Sequence, residues 1–393
     1  TVEPAEPSRP SAAACGCLQF SSPSRRLRAA SPTAAAVRVL SAEAPAFGFE
    51  SLPPGVQPCP RQSVLITWPC PRGGRLTPQG VRVALVANFV LQINRAFGHR
   101  VDDLVASVPA GKVDGSNPSG LNWDDAGDCR KSRLMADVDR LGLRQCRVES
   151  EDCYARESHR LAQTLSRLRL AGSESWCSRR LGDLLAALAR AERSGCGRLH
   201  WVAGSDEAER FADLAAGLSH LGYRELANPS PWPMHVSVGP VAMATGTPSG
   251  LEDLLSEFCS ESRDNLLLQL LAESRSLAVQ LRSSAAGGGA LTAAMLRQAR
   301  DRLMEFESAA GTQPGSWEPS NESALASYLA EFPTAAGLAY LTYEPAHLVA
   351  YLSGLVQLTH GDWLCGRRLL AAAAGRVLSS GCAVLGLTAG LAC

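Results

Sequence analysis

From 321 to 387, apolar residues recur at helical period and the helix breakers fall between the runs. After Pro345 the apolar positions are Leu348, Tyr351, Leu352, Leu355 and Val356, spaced i, i+3, i+4, i+7, i+8, which is one buried face of a helix. After Gly366 the pattern returns as Leu370, Ala373, Ala374, Val377, Leu378 and Leu385. Pro333 and Pro345 stand where a first helical turn tolerates a missing N–H. Gly381 lies inside the last pattern and predicts a bend or a short separate helix there. The stretch predicts an all-α bundle of short-looped helices, complete enough in its faces to fold alone.

Upstream the period changes. Residues 63–68 form a short β-type run, 69–78 a Pro/Gly-rich loop, and 81–97 a helical run ending at Gly98 and His99. Strand, glycine-rich loop and helix open a nucleotide-binding α/β unit. Residues 198–203 read as a second strand. Ser205 is placed to cap a helix reaching His220, with Asp206 and Glu207 in its first turn. A strand at 234–241 runs into a loop at 242–250, and Leu251 opens a helical region to 307, broken by the flexible 283–290. Residues 102–197 read as a polar stretch followed by two basic helices. Arg156, Arg160, Arg167 and Arg169 lie on the first, and Arg179, Arg180, Arg190 and Arg193 on the second. A basic helical face can track an RNA backbone, and the interleaved Glu157, Glu174, Asp183 and Glu192 fit a solvated face over a core equally. The divisions are therefore 1–60, 61–260 with a helical insertion at about 102–197, a helical connector at 261–319, and the bundle at 320–393.

Composition narrows the classes. The 38 basic and 38 acidic residues cancel, so no global field draws the chain to nucleic acid. All basic residues except Lys112 and Lys131 are Arg, the better partner for phosphates and base edges, although GC-rich codon usage explains the same bias. The 13 cysteines contain no C-x-x-C pair and read as reduced thiols of a cytoplasmic protein. No apolar run is long enough to span a bilayer. Residues 1–60 are rich in Pro, Ala, Ser and Arg, with no acid between Glu6 and Glu43; a transit peptide, a disordered tail and the remnant of an upstream domain all fit. His200, His235, His347 and His360 lack metal-ligand spacing, so no metal site is expected.

The run Leu329-Ala-Glu-Phe-Pro333, Glu344-Pro345-x-x-Leu348-x-x-Tyr351-Leu352, Arg368-Leu369-Leu370, Val377-Leu378-x-x-Gly381 and Leu385-Gly386-Leu387 resembles the DALR-type anticodon-binding domain that ends arginyl-tRNA synthetase. The loop 360–366 is shorter than that family usually has. Residues 64–101 and 198–255 are similar to the two halves of the same family's class I catalytic domain. Arg75-Leu76 leads into the turn, Arg82 lies on the helix, and Phe97-Gly98-His99-Arg100-Val101 closes it. His99 sits at the helix end and reads as a C-terminal cation.

The resemblance implies a degenerate, Rossmann-like class I synthetase α/β domain followed by the DALR-type bundle. It places the "HIGH" signature at Thr77-Pro-Gln-Gly80 and the "KMSK" loop at 244–250. Thr77 and Gly80 stand where imidazoles should be, and the second loop offers Thr245 and Thr247 without a single cation. Losing each donor aimed at developing charge costs about 10²–10³ in rate. No catalytic residue and no cofactor is therefore expected, with ATP a ligand only if synthetase activity persists. The layout resembles the non-synthetase relatives of that family. That likeness implies a protein that binds arginine tRNAs and hands them to a tRNA 3-methylcytidine methyltransferase. The alternative is an arginine-tRNA ligase with degenerate signatures, and a third is an interaction module that has lost RNA binding. For the RNA contact the expected residues are Tyr351 and Trp363, which can stack, and Arg367, Arg368 and Arg376, which can pair with phosphate or a base edge.

Overall fold

The computed structural model describes residues 62–69, 75–101, 104–108, 123–143, 146–150, 188–189, 191–192, 195–227, 229, 232–243, 251–258, 263–281, 291–308, 319–360 and 368–387. In chain order its elements are β1 (Val64–Pro69), α1 (Pro78–Ala96), β2 (Leu104–Val108), α2 (Trp123–Arg140), β3 (Cys146–Ser150) and β4 (Arg198–Gly204). After a 3-10 turn (Ser205–Glu207) come α3 (Ala208–His220), α4 (Arg224–Ala227), β5 (His235–Val238), β6 (Val241–Met243), α5 (Leu251–Phe258), α6 (Arg263–Ala272) and β7 (Val279–Leu281). The chain then turns helical, as α7 (Ala293–Ser308), α8 (Pro319–Ala330), α9 (Phe332–Thr342), α10 (Pro345–Thr359) and α11 (Arg368–Leu385).

Five strands form one sheet in the order β3-β2-β1-β4-β5, and every pair is parallel. This is the doubly wound arrangement, whose switch point lies between β1 and β4. Both strands are buried along almost their whole length, which is why they read as unbroken apolar runs. Their side chains still alternate. Ile66, Trp68 and Val202 point into one core with α1. Leu65, Leu199 and Trp201 point into a second with Phe211, Leu214 and Leu218 of α3.

α1 is the helix around which the molecule is built. Buried residues line it on every side, including Val81, Leu85, Phe89, Val90 and Ile93. It packs on β1 and β4 and also against α6, α9 and α11. A helix apolar all round is a buried helix. One continuous core thus runs from Ile66 through Phe89 to Leu352 and Val377 of the bundle.

Several sequence expectations shift here. The strand expected at 234–241 breaks at Gly239-Pro240; its second part, β6, pairs instead with β7, inside the region expected to be wholly helical. Three residues give too short a pattern to recognise. The stretch expected to be polar holds β2 and β3. The two basic helices fall almost wholly outside the described residues. Ser205 lies in a 3-10 turn, and α3 starts beyond it without a side-chain cap. α11 runs unbroken through Gly381; a Cβ there would meet Leu352 Cδ2 at 2.8 Å, so the glycine allows close packing of α10 on α11. The faces expected on α10 and α11 are buried as read. α9 ends on Tyr343 in the left-handed conformation (φ 53°), with Pro345 opening α10 two residues later.

Candidate functional site

In a doubly wound sheet, ligands sit outside the carboxyl ends of the strands at the switch point. Here that place is bounded by Gly204 at the end of β4, Val238 at the end of β5, and the first turn of α1. Thr77 is the N-cap of α1: its Oγ1 accepts from Gly80 N at 3.1 Å, and its carbonyl accepts from Val81 N at 2.8 Å. The hydroxyl at the first signature position therefore serves the helix end, and Gly80 contributes only a backbone N–H to that cap. Ahead of it, Asp137 of α2 accepts from Leu76 N at 2.9 Å and fixes the approach to the helix. Thr245 and Thr247 lie outside the described residues.

The next turn holds Arg82, which is fully buried. Its guanidinium donates to four carbonyls: Leu270 (3.3 Å), Gly239 (2.9 Å), Leu277 (2.6 Å) and Ser274 (2.8 Å). Burial lowers its pKa to about 10, against the opposing pull of Glu344 and Glu273. The segment 273–277 is held from its other side by Glu344, just before α10. One carboxylate oxygen accepts from Ser274 Oγ at 3.1 Å and the other from Arg275 N at 2.7 Å. Arg275 also reaches Ser237 O at 2.7 Å. This segment joins the end of the sheet to the bundle.

At the opposite, amino end of the strands lies a buried polar group. Arg198 of β4 is 1% exposed; it donates to Asn94 Oδ1 at 2.8 Å and lies 4.0 Å from the Trp232 ring centre. No carboxylate pairs with it among the described residues, and its Nε and Nη1 have no hydrogen-bond partner. Around it, Tyr343 OH meets His200 Nε2 at 3.0 Å, and His99 Nε2 meets Tyr340 OH at 2.5 Å. Burial, reinforced by the Arg198 charge, pushes His99 down to about 4 and His200 to about 3. His99 is thus a neutral ring in the seam with the bundle, which corrects its reading as a helix-end cation. His200 and His235 are both structural, with His235 stacked on Phe211 at 4.5 Å.

Of the residues expected to meet RNA, Tyr351, Arg368 and Arg376 lie among the described residues. Tyr351 is 6% exposed. Its OH donates to Tyr328 O at 2.7 Å, Tyr328 OH donates to Tyr351 O at 2.8 Å, and the rings stack at 4.6 Å. Burial raises its pKa. This ring is committed to the bundle core. Arg376 is half-buried along α11, and Arg368 begins that helix. Trp363 and Arg367 lie outside the described residues. Among the described residues no cluster of His, Cys, Asp or Glu could hold a metal ion, and no helix is long and apolar enough to cross a membrane.

Sequence reading missed Gln79, Arg198, Arg275 and Glu344. The one available signal was a lone Arg82 or Arg198 amid apolar runs, since a cation there needs a buried partner.

No family model matches the chain, and no curated protein matches it. Solved structures do. A putative arginyl-tRNA synthetase from Campylobacter jejuni superposes with a TM-score of 0.71 at 12% identity, over 92% of this chain and 99% of that one. Arginyl-tRNA synthetase from Thermus thermophilus gives 0.67 at 13% identity, over 92% and 86%. The Plasmodium falciparum enzyme gives 0.60 at 12% identity, over 84% and 77%. At such identities the likeness shows the fold. The chain has the architecture of the class I arginyl-tRNA synthetases, a Rossmann-like α/β unit followed by a helical bundle.

Proposed function

We propose that this protein binds arginine tRNAs without charging them, and presents them to a tRNA 3-methylcytidine methyltransferase that supplies the chemistry. The observation that carries the reading is a whole synthetase scaffold whose first signature is occupied by a helix cap. The likeness extends over 92% of the chain, yet Thr77 Oγ1 is engaged with Gly80 N where the resembled family places imidazoles. A scaffold kept at that completeness without its phosphate-stabilising donors favours RNA binding over adenylate chemistry. Trp363, Arg367, Arg368 and Arg376 are the proposed RNA contacts, with Tyr351 supporting them from the core. ATP is not a required ligand on this reading, and the site of action is the cytoplasm.

The test is recovery of the protein from cells, with sequencing of the bound tRNA and identification of the co-purified protein. Enrichment of arginine tRNAs together with a tRNA methyltransferase is expected; random tRNA or none contradicts it. The second reading, an arginine-tRNA ligase, is favoured by the likeness of the fold to arginyl-tRNA synthetases. Arginine-dependent ATP–pyrophosphate exchange by the purified protein separates the two, and none is expected.

A further inference from the structure

The crevice at the switch point is bridged by the protein's own side chains. Gln79, in the first turn of α1, donates from Nε2 to Val238 O at 3.3 Å, crossing from the helix to the end of β5. A Cβ placed on Gly204 would meet the Asp206 carboxylate first, with its Cγ at 3.4 Å, and Gln79 Nε2 at 3.8 Å, so Asp206 and the Gln79 amide together fill the space between the end of β4 and the helix. Gln79 Oε1 is buried there with no hydrogen-bond partner. One turn further on, Arg82 Nη1 donates to Gly239 O, the residue after β5. The Ser276–Leu277 backbone presses on Gly239 closely enough that a Cβ there would lie 2.7 Å from Ser276 O. The helix end itself has little left to offer an anion: Pro78 has no N–H, Gly80 N goes to Thr77 Oγ1 and Val81 N to Thr77 O.

We infer that Gln79 is an internal occupant of the switch-point crevice, stapling α1 to β5 in the space that a purine nucleoside would take in an open doubly wound fold. The inference rests on the non-catalytic reading above and gives it a steric cause in addition to the missing cations. Arg82 locks the same two elements one turn deeper, so the closure does not depend on Gln79 for stability. Shortening Gln79 removes the amide and opens the gap between α1 and Val238, leaving Asp206 beside Gly204 and the Arg82 bonds in place.

Calorimetric titration of the full chain with adenosine, which needs no phosphate seat, tests this. Wild type, Gln79→Ala and Gln79→Gly are compared, with circular dichroism melts run on each. Adenosine is expected to bind the folded Gln79→Ala or Gln79→Gly protein at least ten-fold more tightly than wild type. Wild type binding adenosine as tightly as the variants overturns the inference, and so does a folded pair of variants that gain nothing. Gln79→Asn, which keeps the amide but cannot span the gap, gives an independent variant should the other two unfold. Arginine tRNA binding by the same wild-type sample is scored separately. Its loss would count against the proposed function and leave the crevice result standing.

Discussion

Glu344 holds Arg275 at two points: its carboxylate accepts the Arg275 backbone N–H at 2.7 Å and lies 3.5 Å from the guanidinium Nε. Both side chains are 15% exposed. Glu344 is the N-cap of α10 in the bundle, while Arg275 reaches Ser237 of β5, so this pair ties the two parts of the chain together. Hydrogen bonds to charged groups contribute about 1.5–3 kcal/mol each. Glu344→Ala is expected to lower the urea unfolding free energy by roughly 3–5 kcal/mol, the range for breaking such a pair. Glu344→Gln, which keeps one acceptor, should lose about half as much. Equal midpoints for all three proteins would show that the latch contributes nothing.

Arg82 is the deeper joint. Arg82→Ala leaves four carbonyls without their donor, and Arg82→Lys cannot fork to reach them all. Both substitutions are expected to cost on the order of 3–5 kcal/mol. A thermal melt of Arg82→Lys within a degree or two of wild type would contradict this account of the segment 273–277.

Acid should loosen the seam between sheet and bundle. His99 and His200 have folded pKa values of about 4 and about 3, below the ordinary 6.5. The unfolded chain therefore takes up protons first. Their contribution to stability is complete above pH 6.5 and is lost as the pH falls toward 4 and then 3. Unfolding midpoints should drop between pH 6.5 and 4, and His99→Asn should flatten that drop. Because the Arg198 charge helps depress both rings, Arg198→Met should move the His99 titration, read by NMR, upward. An unchanged titration would remove Arg198 from the cause.

The bundle leans on its neighbours. Tyr343 OH hydrogen-bonds Asn94 and His200, and Trp232 Nε1 donates to Tyr340 O at 3.1 Å. α7 packs along α11, and α1 against both α9 and α11. A fragment of residues 319–393 would expose Tyr340 and Tyr343, so it is expected to melt without a cooperative transition. Leu352→Asp in the full chain should unfold it, since an unpaired buried charge costs several kcal/mol. A sharp melt of the fragment would show instead that the bundle faces suffice alone, as the periodicity suggests.

What the sequence made legible were the elements with long or unbroken patterns. The α10 face at Leu348, Leu352 and Leu355 and the buried runs of β1 and β4 stand where periodicity put them. β7 was illegible because Val279-Gln-Leu281 is too short to carry a period, and β6 because only its partner reveals that it leaves the main sheet. The switch-point chemistry was half legible. Thr77 and Gly80 announce the lost donors, but Gln79 reaching Val238 depends on strand ends brought together from 159 residues away. Tyr351 fits both a stacking residue and a core residue by spacing; only its pairing with Tyr328 decides where the ring lies.

The central claim is tRNA binding by a synthetase fold without synthetase chemistry. The measurement that tests it most directly is a gel-shift titration of arginine tRNA across salt concentrations, for wild type, Trp363→Ala and the double variant Arg367→Ala/Arg368→Ala. Wild type should bind with affinity falling linearly in log salt. The double variant should lose about one unit of salt slope per phosphate contact removed, and Trp363→Ala about 1–3 kcal/mol of affinity. No salt-dependent complex with wild type, from protein that circular dichroism shows folded, would contradict the account.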